Sequence, residues 1–275
     1  MKHIKECAII VGQLERGVCK MGRVIAIANQ KGGVGKTTTA INLSAALASL
    51  GKKVLALDMD PQGNMSSGLG VNKDEAEHNI YTLIVGESTV DECICKEAIE
   101  NLDVLPSNID LSAAEIELIG VENKEFIVKN HIDLVKDRYD YVIIDCPPAL
   151  SMLTINAMTT ADSVIVPIQC EYYALEGLSQ LMHTIELVQS RLNPNLEMEG
   201  VVFTMYDART NLSLQVVENV KDNLEHNIYK TIIPRNIRLA EAPSYGMPIN
   251  LYDPKSAGAI SYRMLAEEVV NRGEE

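Results

Sequence analysis

The sequence has 275 residues, of which 47% are apolar and 23% charged; this is an ordinary globular composition and excludes a disordered chain. No apolar run approaches the roughly 20 residues that cross a bilayer. Residues 1–20 do not make a convincing secretion signal, because Gln13 and Glu15 interrupt their short apolar stretch. We therefore expect a cytoplasmic protein.

The net charge of −14 is unevenly distributed along the chain. Residues 73–125 contain 14 Asp and Glu against 3 Lys and Arg, whereas residues 205–255 contain six of each sign. Since one acidic segment supplies most of the charge, a different face of the protein remains able to meet phosphate groups. The overall charge alone does not exclude a nucleic-acid partner.

Six cysteines stand at positions 7, 19, 93, 95, 146 and 170. Cys93 and Cys95 are separated by one residue, which does not suit a zinc knuckle, and the chain contains no CxxC pair. We predict reduced thiols rather than a metal centre or disulfides.

Short, continuously apolar runs alternate with helical patterns along the chain, and the runs are 24–29, 54–58, 102–106, 141–145, 163–168, 200–205 and 228–234. Helices are predicted at about 36–50, where Gly51 ends the pattern, and at 175–192. This order predicts an α/β fold with one mostly parallel, wound sheet and helices on both faces. We expect one domain over residues 21–272, preceded by an N-terminal extension, residues 1–20, of unknown role.

The strongest motif, KGGVGKTT at 31–38, lies between the first strand and the first helix. Its members are Lys31, Gly32, Gly33, Val34, Gly35, Lys36, Thr37 and Thr38. Glycines let successive N–H groups face inward onto phosphate oxygens, and the helix adds its positive end. Lys36 can reach the β- and γ-phosphates of ATP, and the Thr37 hydroxyl can bind Mg²⁺.

Carboxylates follow two later strands. Asp58 and Asp60 end the second strand, where a carboxylate can either orient a water molecule or hold a magnesium-bound water. The run YVIID ends in Asp145, the Walker B pattern, whose carboxylate would hold magnesium-bound water. Together with the glycine loop, these residues predict Mg²⁺-dependent ATP hydrolysis.

The loop has Gln30 where the usual P-loop has glycine, and it has the additional Lys31. In these features it resembles the deviant P-loop family of ParA, MinD, the nitrogenase iron protein and the arsenite-pump ATPase. Four blocks, at 58–70, 167–181, 205–217 and 232–254, are similar to the short chromosomal ParA/Soj proteins, and the likeness covers residues 21 to about 270.

The resemblance implies a dimer that sandwiches two ATP molecules, with Lys31 of each protomer reaching the phosphates of its partner. It implies that Asp60 positions the attacking water and that Pro234 and Asn236 hold adenine. It also implies that Arg209 and Arg238 bind DNA without reading its sequence. The region around Met247 and Asn250 has fewer cations than that family leads us to expect.

The resemblance therefore predicts an ATP-dependent switch for chromosome or plasmid partitioning. We expect an ATP-bound homodimer on nonspecific DNA, hence a nucleoid-associated protein. A ParB-type partner would stimulate weak hydrolysis to ADP and phosphate. The alternative is a MinD-like ATPase that positions a membrane or protein cargo; against a membrane target, the chain ends in the acidic sequence LAEEVVNRGEE rather than a basic amphipathic helix.

Overall fold

The structure is a computed structural model that describes residues 22–171, 174–224 and 227–273. The proposed extension, residues 1–20, and Cys7 and Cys19 within it lie outside the described residues. The domain bounds at 21 and 272 therefore stay a prediction.

Eight strands and twelve α-helices are found in the described residues. The strands are β1 (Arg23–Ile27), β2 (Val54–Asp58), β3 (Cys95–Ile99), β4 (Leu102–Leu105), β5 (Tyr141–Asp145), β6 (Ser163–Gln169), β7 (Glu197–Tyr206) and β8 (Ile228–Pro234). The helices are α1 (Lys36–Ser49), α2 (Asn64–Gly68), α3 (Ile80–Ile84), α4 (Val90–Cys93), α5 (Leu111–Glu117), α6 (Ile127–Ile132), α7 (Met152–Thr160), α8 (Ala174–Arg191), α9 (Asn211–Asn223), α10 (Ile237–Glu241), α11 (Ile249–Tyr252) and α12 (Ala257–Arg272). Short 3₁₀ turns occupy Lys124–Phe126, Lys136–Arg138 and Ala242–Tyr245.

All eight strands form one sheet in the order β3-β4-β2-β5-β1-β6-β7-β8. Every neighbouring pair is parallel except β3 and β4. The order reverses direction at β1, whose neighbours are β5 and β6. Such a reversal opens a crevice at the carboxyl ends of the strands, and α/β proteins bind ligands there.

The core lies on both faces of the sheet because alternate side chains of a strand point to opposite sides. Val24 and Ala26 of β1 belong to one buried cluster, and Ile25 and Ile27 belong to the other. Helix α1 is almost wholly buried against the second face. This burial fixes the helix that begins at the glycine loop.

The predicted α/β class, the parallel sheet and all seven predicted strands are confirmed. Gly51 follows α1 with a φ of 78°, the left-handed conformation expected at a helix end. The antiparallel edge strand β3 was missed, because its sequence CKEAI lacks a continuous apolar run. None of the described helices is long and apolar enough to span a bilayer.

Candidate functional site

The glycine loop joins β1 to α1 at the switch point of the sheet. Gly33 and Gly35 have φ values of 74° and 89°, a region that a side chain would strain. The Asn29 side chain accepts a hydrogen bond from the Lys31 N–H at 3.0 Å and donates to the Pro167 carbonyl at 2.8 Å. The loop is therefore tied to the end of β6 as well as to β1.

Lys36 begins α1 and is buried, with 7% of its surface exposed. Its Nζ donates a 3.1 Å hydrogen bond to the Lys31 carbonyl oxygen, across the mouth of the loop. Burial lowers the pKa of Lys36, and the nearby carboxyls of Asp145 and Asp60 oppose that shift. A buried ammonium held in this way is a ready donor to an anion that enters the loop.

The carboxylates predicted at the ends of β2 and β5 are brought together, since Asp58 and Asp145 are register partners in the sheet. Asp58 is fully buried and accepts hydrogen bonds from the Asp60 N–H and from both the N–H and the hydroxyl of Ser66. Burial raises the pKa of Asp58 to about 6, against the opposing effect of these bonds.

Asp145 is fully buried, and within the described residues neither of its carboxylate oxygens has a hydrogen-bond partner of normal geometry. Burial raises its pKa, and the charge of Asp58 adds to this shift. The Thr37 hydroxyl lies close enough to lower that pKa in part. Two unpaired buried acceptors are costly unless a cation or its waters satisfy them.

A magnesium ion fits this position, because an unpaired carboxylate and a neighbouring hydroxyl are both hard oxygen donors. No group of three or more His, Cys, Asp or Glu side chains in the described parts of the chain could hold a metal by itself. This matches the usual habit of Mg²⁺, which binds through one or two protein oxygens together with substrate phosphates and water.

Asp60 lies two residues after the end of β2 and is nearly buried, with 8% of its surface exposed. Its Oδ1 accepts the Gln62 N–H at 2.9 Å, and its carbonyl oxygen accepts the Gly63 N–H at 2.9 Å. These two bonds form a tight turn through Pro61 and Gly63, and they fix the carboxylate near Lys36 and Asp145.

A cavity of about 430 Å³ opens beside the loop and contains the predicted adenine residues. Gly35 and Thr38 line it on the loop side, Pro234 and Asn236 line it at and just after the end of β8, and Tyr262 lines it from α12. Asn236 also caps α10, where its Oδ1 accepts the Arg238 N–H at 2.8 Å. The cavity therefore joins the predicted phosphate and adenine positions into one continuous site.

Lys31 is partly exposed, and its Nζ forms a 3.3 Å ion pair with Glu171, which follows β6. Within the single chain the Lys31 side chain points toward Glu171, whereas the Lys36 side chain lies at the glycine loop. Gly32 is exposed, and a Cβ at its position would meet no atom within 4 Å. Among the described residues, the Lys31 side chain is held only by this exposed ion pair, and the space above Gly32 is open within one protomer.

The two predicted DNA-binding arginines are exposed but paired. Arg209 binds both carboxylate oxygens of Asp207, with contacts of 2.8 and 2.7 Å, and this pairing holds the pKa of Asp207 well below its usual range. Arg238 contacts Glu241 at 2.9 Å and Asp253 at 3.6 Å. The sequence did not reveal these partners, although Asp207 and Glu241 lie within three residues of their arginines along the chain.

Three contributors to the site were missed from the sequence. Ser66 and Thr204 anchor the carboxylates and the loop, and Glu171 holds Lys31. The only sequence signal for them was their position inside the blocks at 58–70 and 167–181, or at the end of a predicted strand. Of the described cysteines, Cys93, Cys95, Cys146 and Cys170 are free thiols.

This wound sheet, with a glycine loop at its switch point and acidic strand ends beside it, defines a P-loop nucleotide-binding protein. A family model described as an AAA domain matches residues 22–198. The chain is 56% identical over 253 residues to the sporulation initiation inhibitor protein Soj of Bacillus subtilis (strain 168), covering 92% of this chain and 100% of that protein. It is 50% identical over 272 residues to the chromosome partitioning protein ParA of Myxococcus xanthus (strain DK1622), with coverages of 99% and 96%.

The chain therefore belongs to the Soj/ParA family of chromosome partitioning proteins, as its sequence blocks predicted. Among solved structures, it is similar to a cobyrinic acid a,c-diamide synthase from Mycobacterium smegmatis with bound ATP analogue and magnesium. That similarity has a TM-score of 0.82 and 37% sequence identity, and it covers 92% of this chain and 96% of the other.

Proposed function

We propose that this chain is an ATP-dependent switch for chromosome or plasmid partitioning, which hydrolyses ATP to ADP and phosphate. The observation that carries the proposal is the proximity of the buried Lys36 ammonium to the Asp145 carboxylate, which has no hydrogen-bond partner, at one glycine loop. The Lys36 ammonium can bind phosphate, and the Asp145 carboxylate can bind a metal ion that accompanies phosphate. The family and the ATP analogue in the similar structure support ATP and Mg²⁺ as the ligands.

The residues of the loop would divide the work of binding. The N–H groups from Gly32 to Thr38 and the Lys36 ammonium would donate to phosphate oxygens, while the cavity beside Pro234 and Asn236 holds the base. The Thr37 hydroxyl and Asp145, through water, would hold the magnesium ion, which offsets charge on the phosphates. Asp60, fixed by its turn, would orient the attacking water.

A second protomer would complete this site. Lys31 is free to leave its exposed pair with Glu171, because such pairs contribute only about 0–1 kcal/mol. It would then add a second cation at the phosphates of the partner, where charge develops during phosphoryl transfer. The open space above Gly32 leaves room for close approach of the two chains.

The closed dimer would bind DNA nonspecifically through cations that include Arg209 and Arg238. Because each arginine is already paired with a carboxylate, DNA phosphate has to compete with Asp207, Glu241 and Asp253. We therefore propose binding of modest affinity and strong salt dependence, with a ParB-type partner that stimulates hydrolysis and returns the protein to the unbound state.

The direct test is binding to random-sequence duplex DNA with ATP, with ADP and without nucleotide, over a series of salt concentrations. We expect salt-sensitive binding in ATP alone, and weaker binding by Arg209→Ala and Arg238→Ala, with Arg191→Ala on α8 as the control. ATP hydrolysis without DNA binding in any nucleotide state would refute the DNA part of the proposal. Absence of nucleotide binding would refute all of it.

A further inference from the structure

The part of the glycine loop that carries Lys31 lies against helix α8, which is distant from it in the chain. We call residues 29–31 the lysine segment. The Gln30 side-chain amide donates a 2.9 Å hydrogen bond to the Thr184 hydroxyl, and that hydroxyl donates to the Gln180 carbonyl at 3.1 Å, one turn earlier in α8. Thr184 is buried, with 4% of its surface exposed. The residue that stands where the usual P-loop has glycine is therefore bonded to a buried group of α8.

One side of α8 faces the lysine segment. Gly177, Leu181 and Thr184 follow one another at spacings of four and three residues, so they lie on the same side of the helix. A Cβ at Gly177 would stand 3.8 Å from the Asn29 Oδ1 and 4.0 Å from the Lys31 Cβ. Glycine weakens a helix interior, and its presence here allows the backbone of α8 to lie close to the lysine segment.

Strand β6 and the start of α1 hold the backbone of the same segment. The Asn29 Oδ1 accepts the Lys31 N–H at 3.0 Å, and the Asn29 Nδ2 donates to the Pro167 carbonyl of β6 at 2.8 Å. The Lys31 carbonyl accepts the Lys36 Nζ at 3.1 Å. The Lys31 side chain is 35% exposed. Because this side chain extends from a fixed backbone, the anchoring of the lysine segment determines where the Lys31 ammonium can reach.

We propose that Thr184 is a positioning residue for Lys31, acting through Gln30. The proposal rests on the proposed function, in which Lys31 reaches the phosphates of a second protomer. The bond to Thr184 then sets the direction in which this lysine leaves the loop. The later part of the loop has its own anchor, the bond from Thr204 to Val34. Loss of the Thr184 hydroxyl should therefore misplace the second cation and spare ATP binding in the protomer's own loop.

A water molecule is poorly placed to replace this bond. The cavity beside Gln30 and Thr184 has a volume of only about 10 Å³, and its lining includes the apolar side chains of Leu150, Met158 and Leu181. One water needs at least about 10–15 Å³ and two or more polar partners. Thr184→Val nearly keeps the volume of the side chain and removes the hydroxyl, so the Gln30 amide should lose its partner on α8 and the lysine segment should loosen.

The first measurement is amide hydrogen exchange without nucleotide, which does not depend on ATP chemistry. We expect the Lys31 N–H to exchange at least about tenfold faster in Thr184→Val, because the lysine segment opens more often once it is released from α8. Thr184→Ser keeps the hydroxyl and should exchange slowly. Thr160→Val is the matched control: Thr160 of α7 is also 4% exposed and donates to the carbonyl four residues before it, that of Asn156, at 2.7 Å.

Hydrolysis and ATP affinity separate this role from a general loss of stability. At saturating ATP and Mg²⁺, hydrolysis by Thr184→Val should fall about tenfold, while ATP affinity stays within about twofold of that of the unaltered protein. Thr184→Val should cause no further loss in a Lys31→Ala background, because Thr184 acts through Lys31. Gln30→Leu removes the same bond from the other side. It should reproduce the effect of Thr184→Val, and the variant with both substitutions should be no slower than either.

An unchanged exchange rate of the Lys31 N–H in Thr184→Val would overturn the proposal. So would a loss of hydrolysis that persists in the Lys31→Ala background, since Thr184 would then act elsewhere. An equal loss of ATP affinity and hydrolysis would assign Thr184 to the phosphate-binding part of the loop instead. Normal hydrolysis and dimerisation by Lys31→Ala would count against the proposed function, whereas faster exchange in Thr184→Val would still show that Thr184 holds the lysine segment.

Discussion

The hydroxyl of Thr204 donates a 2.7 Å hydrogen bond to the carbonyl oxygen of Val34, in the middle of the glycine loop. Thr204 lies on β7, which does not adjoin β1, and the two residues are 170 positions apart. Its methyl group is 3.6 Å from where a Cβ on Gly35 would stand. One buried threonine thus fixes the loop and limits the space beside it.

Replacement of Thr204 by Val keeps the shape and removes the hydroxyl. The Val34 carbonyl then loses this buried donor, and we expect the free energy of unfolding to fall by about 1–3 kcal/mol. ATP affinity should fall as well, because the loop is less firmly held. Urea unfolding and nucleotide titration check both effects, with Thr204→Ser as the control that keeps the hydroxyl.

Gly32→Val is expected to separate nucleotide binding from dimerisation. A side chain at this position has open space within one protomer, so the variant should fold and bind ATP. It should remain a monomer in ATP, because the added atoms stand where the partner would approach. Light scattering gives the mass, and a dimer of normal affinity would contradict the expectation. Gly33→Val, at a φ of 74°, should instead distort the loop and lose ATP.

Asp60→Ala should still bind ATP but hydrolyse it far more slowly, since the residue proposed to orient water is gone. The protein should accumulate as a DNA-bound dimer. Phosphate release and DNA binding measured on one preparation check this, with Asp74→Ala, at an exposed acid outside the nucleotide site, as the control. A monomeric Asp60→Ala protein that does not bind DNA would refute the assigned role.

Lys36→Ala should by contrast lose the nucleotide altogether.

Glu171→Gln should favour the ATP-bound dimer. The substitution removes the 3.3 Å ion pair of Lys31 and leaves that lysine free to reach a partner. Because the pair is exposed and the dimer contains two such pairs, we expect at most about a thirtyfold gain in dimer affinity, corresponding to an upper limit of about 1 kcal/mol for each pair. The gain should shrink as salt is added. Sedimentation in ATP at two salt concentrations measures it.

The carboxyl pair predicts a pH dependence of stability without nucleotide and magnesium. The pKa of Asp58 is about 6 in the folded protein and about 3.9 in unfolded chains, so between these values the folded state holds more protons. Its contribution to stability is therefore present at low pH and is lost as pH rises through about 6. The pKa of Asp145 is raised in the same direction.

The contribution of this pair to the free energy of unfolding, measured with urea at pH 5, 6 and 7, should therefore decrease as the pH rises. Asp145→Asn should lessen this decrease in stability, because the asparagine side chain carries no buried charge at any of the three pH values. An unchanged slope in that variant would show that Asp145 does not carry a raised pKa. Added magnesium and ATP should also reduce the decline, since a bound cation favours the ionised carboxylate.

Local sequence determined the strands, the conformation of the glycine loop and two of the acidic site residues. Glycines 33 and 35 adopt the left-handed conformation that the motif requires, and the apolar runs became buried strands because only a sheet covered on both faces accommodates them. Asp60 and Asp145 were found because they lie at the carboxyl ends of apolar runs, and parallel strands end at one edge. The family followed from blocks that are contiguous in the chain.

Only the tertiary structure decided what depends on contacts between distant segments. The bond from Thr204 to Val34 and the pair of Lys31 with Glu171 span 170 and 140 residues, and no local pattern encodes them. The same holds for the burial that raises the pKa of Asp58, and for the bond of Gln30 with Thr184. Sequence sets which groups are present, whereas packing sets which of them lose water and which remain available to a partner.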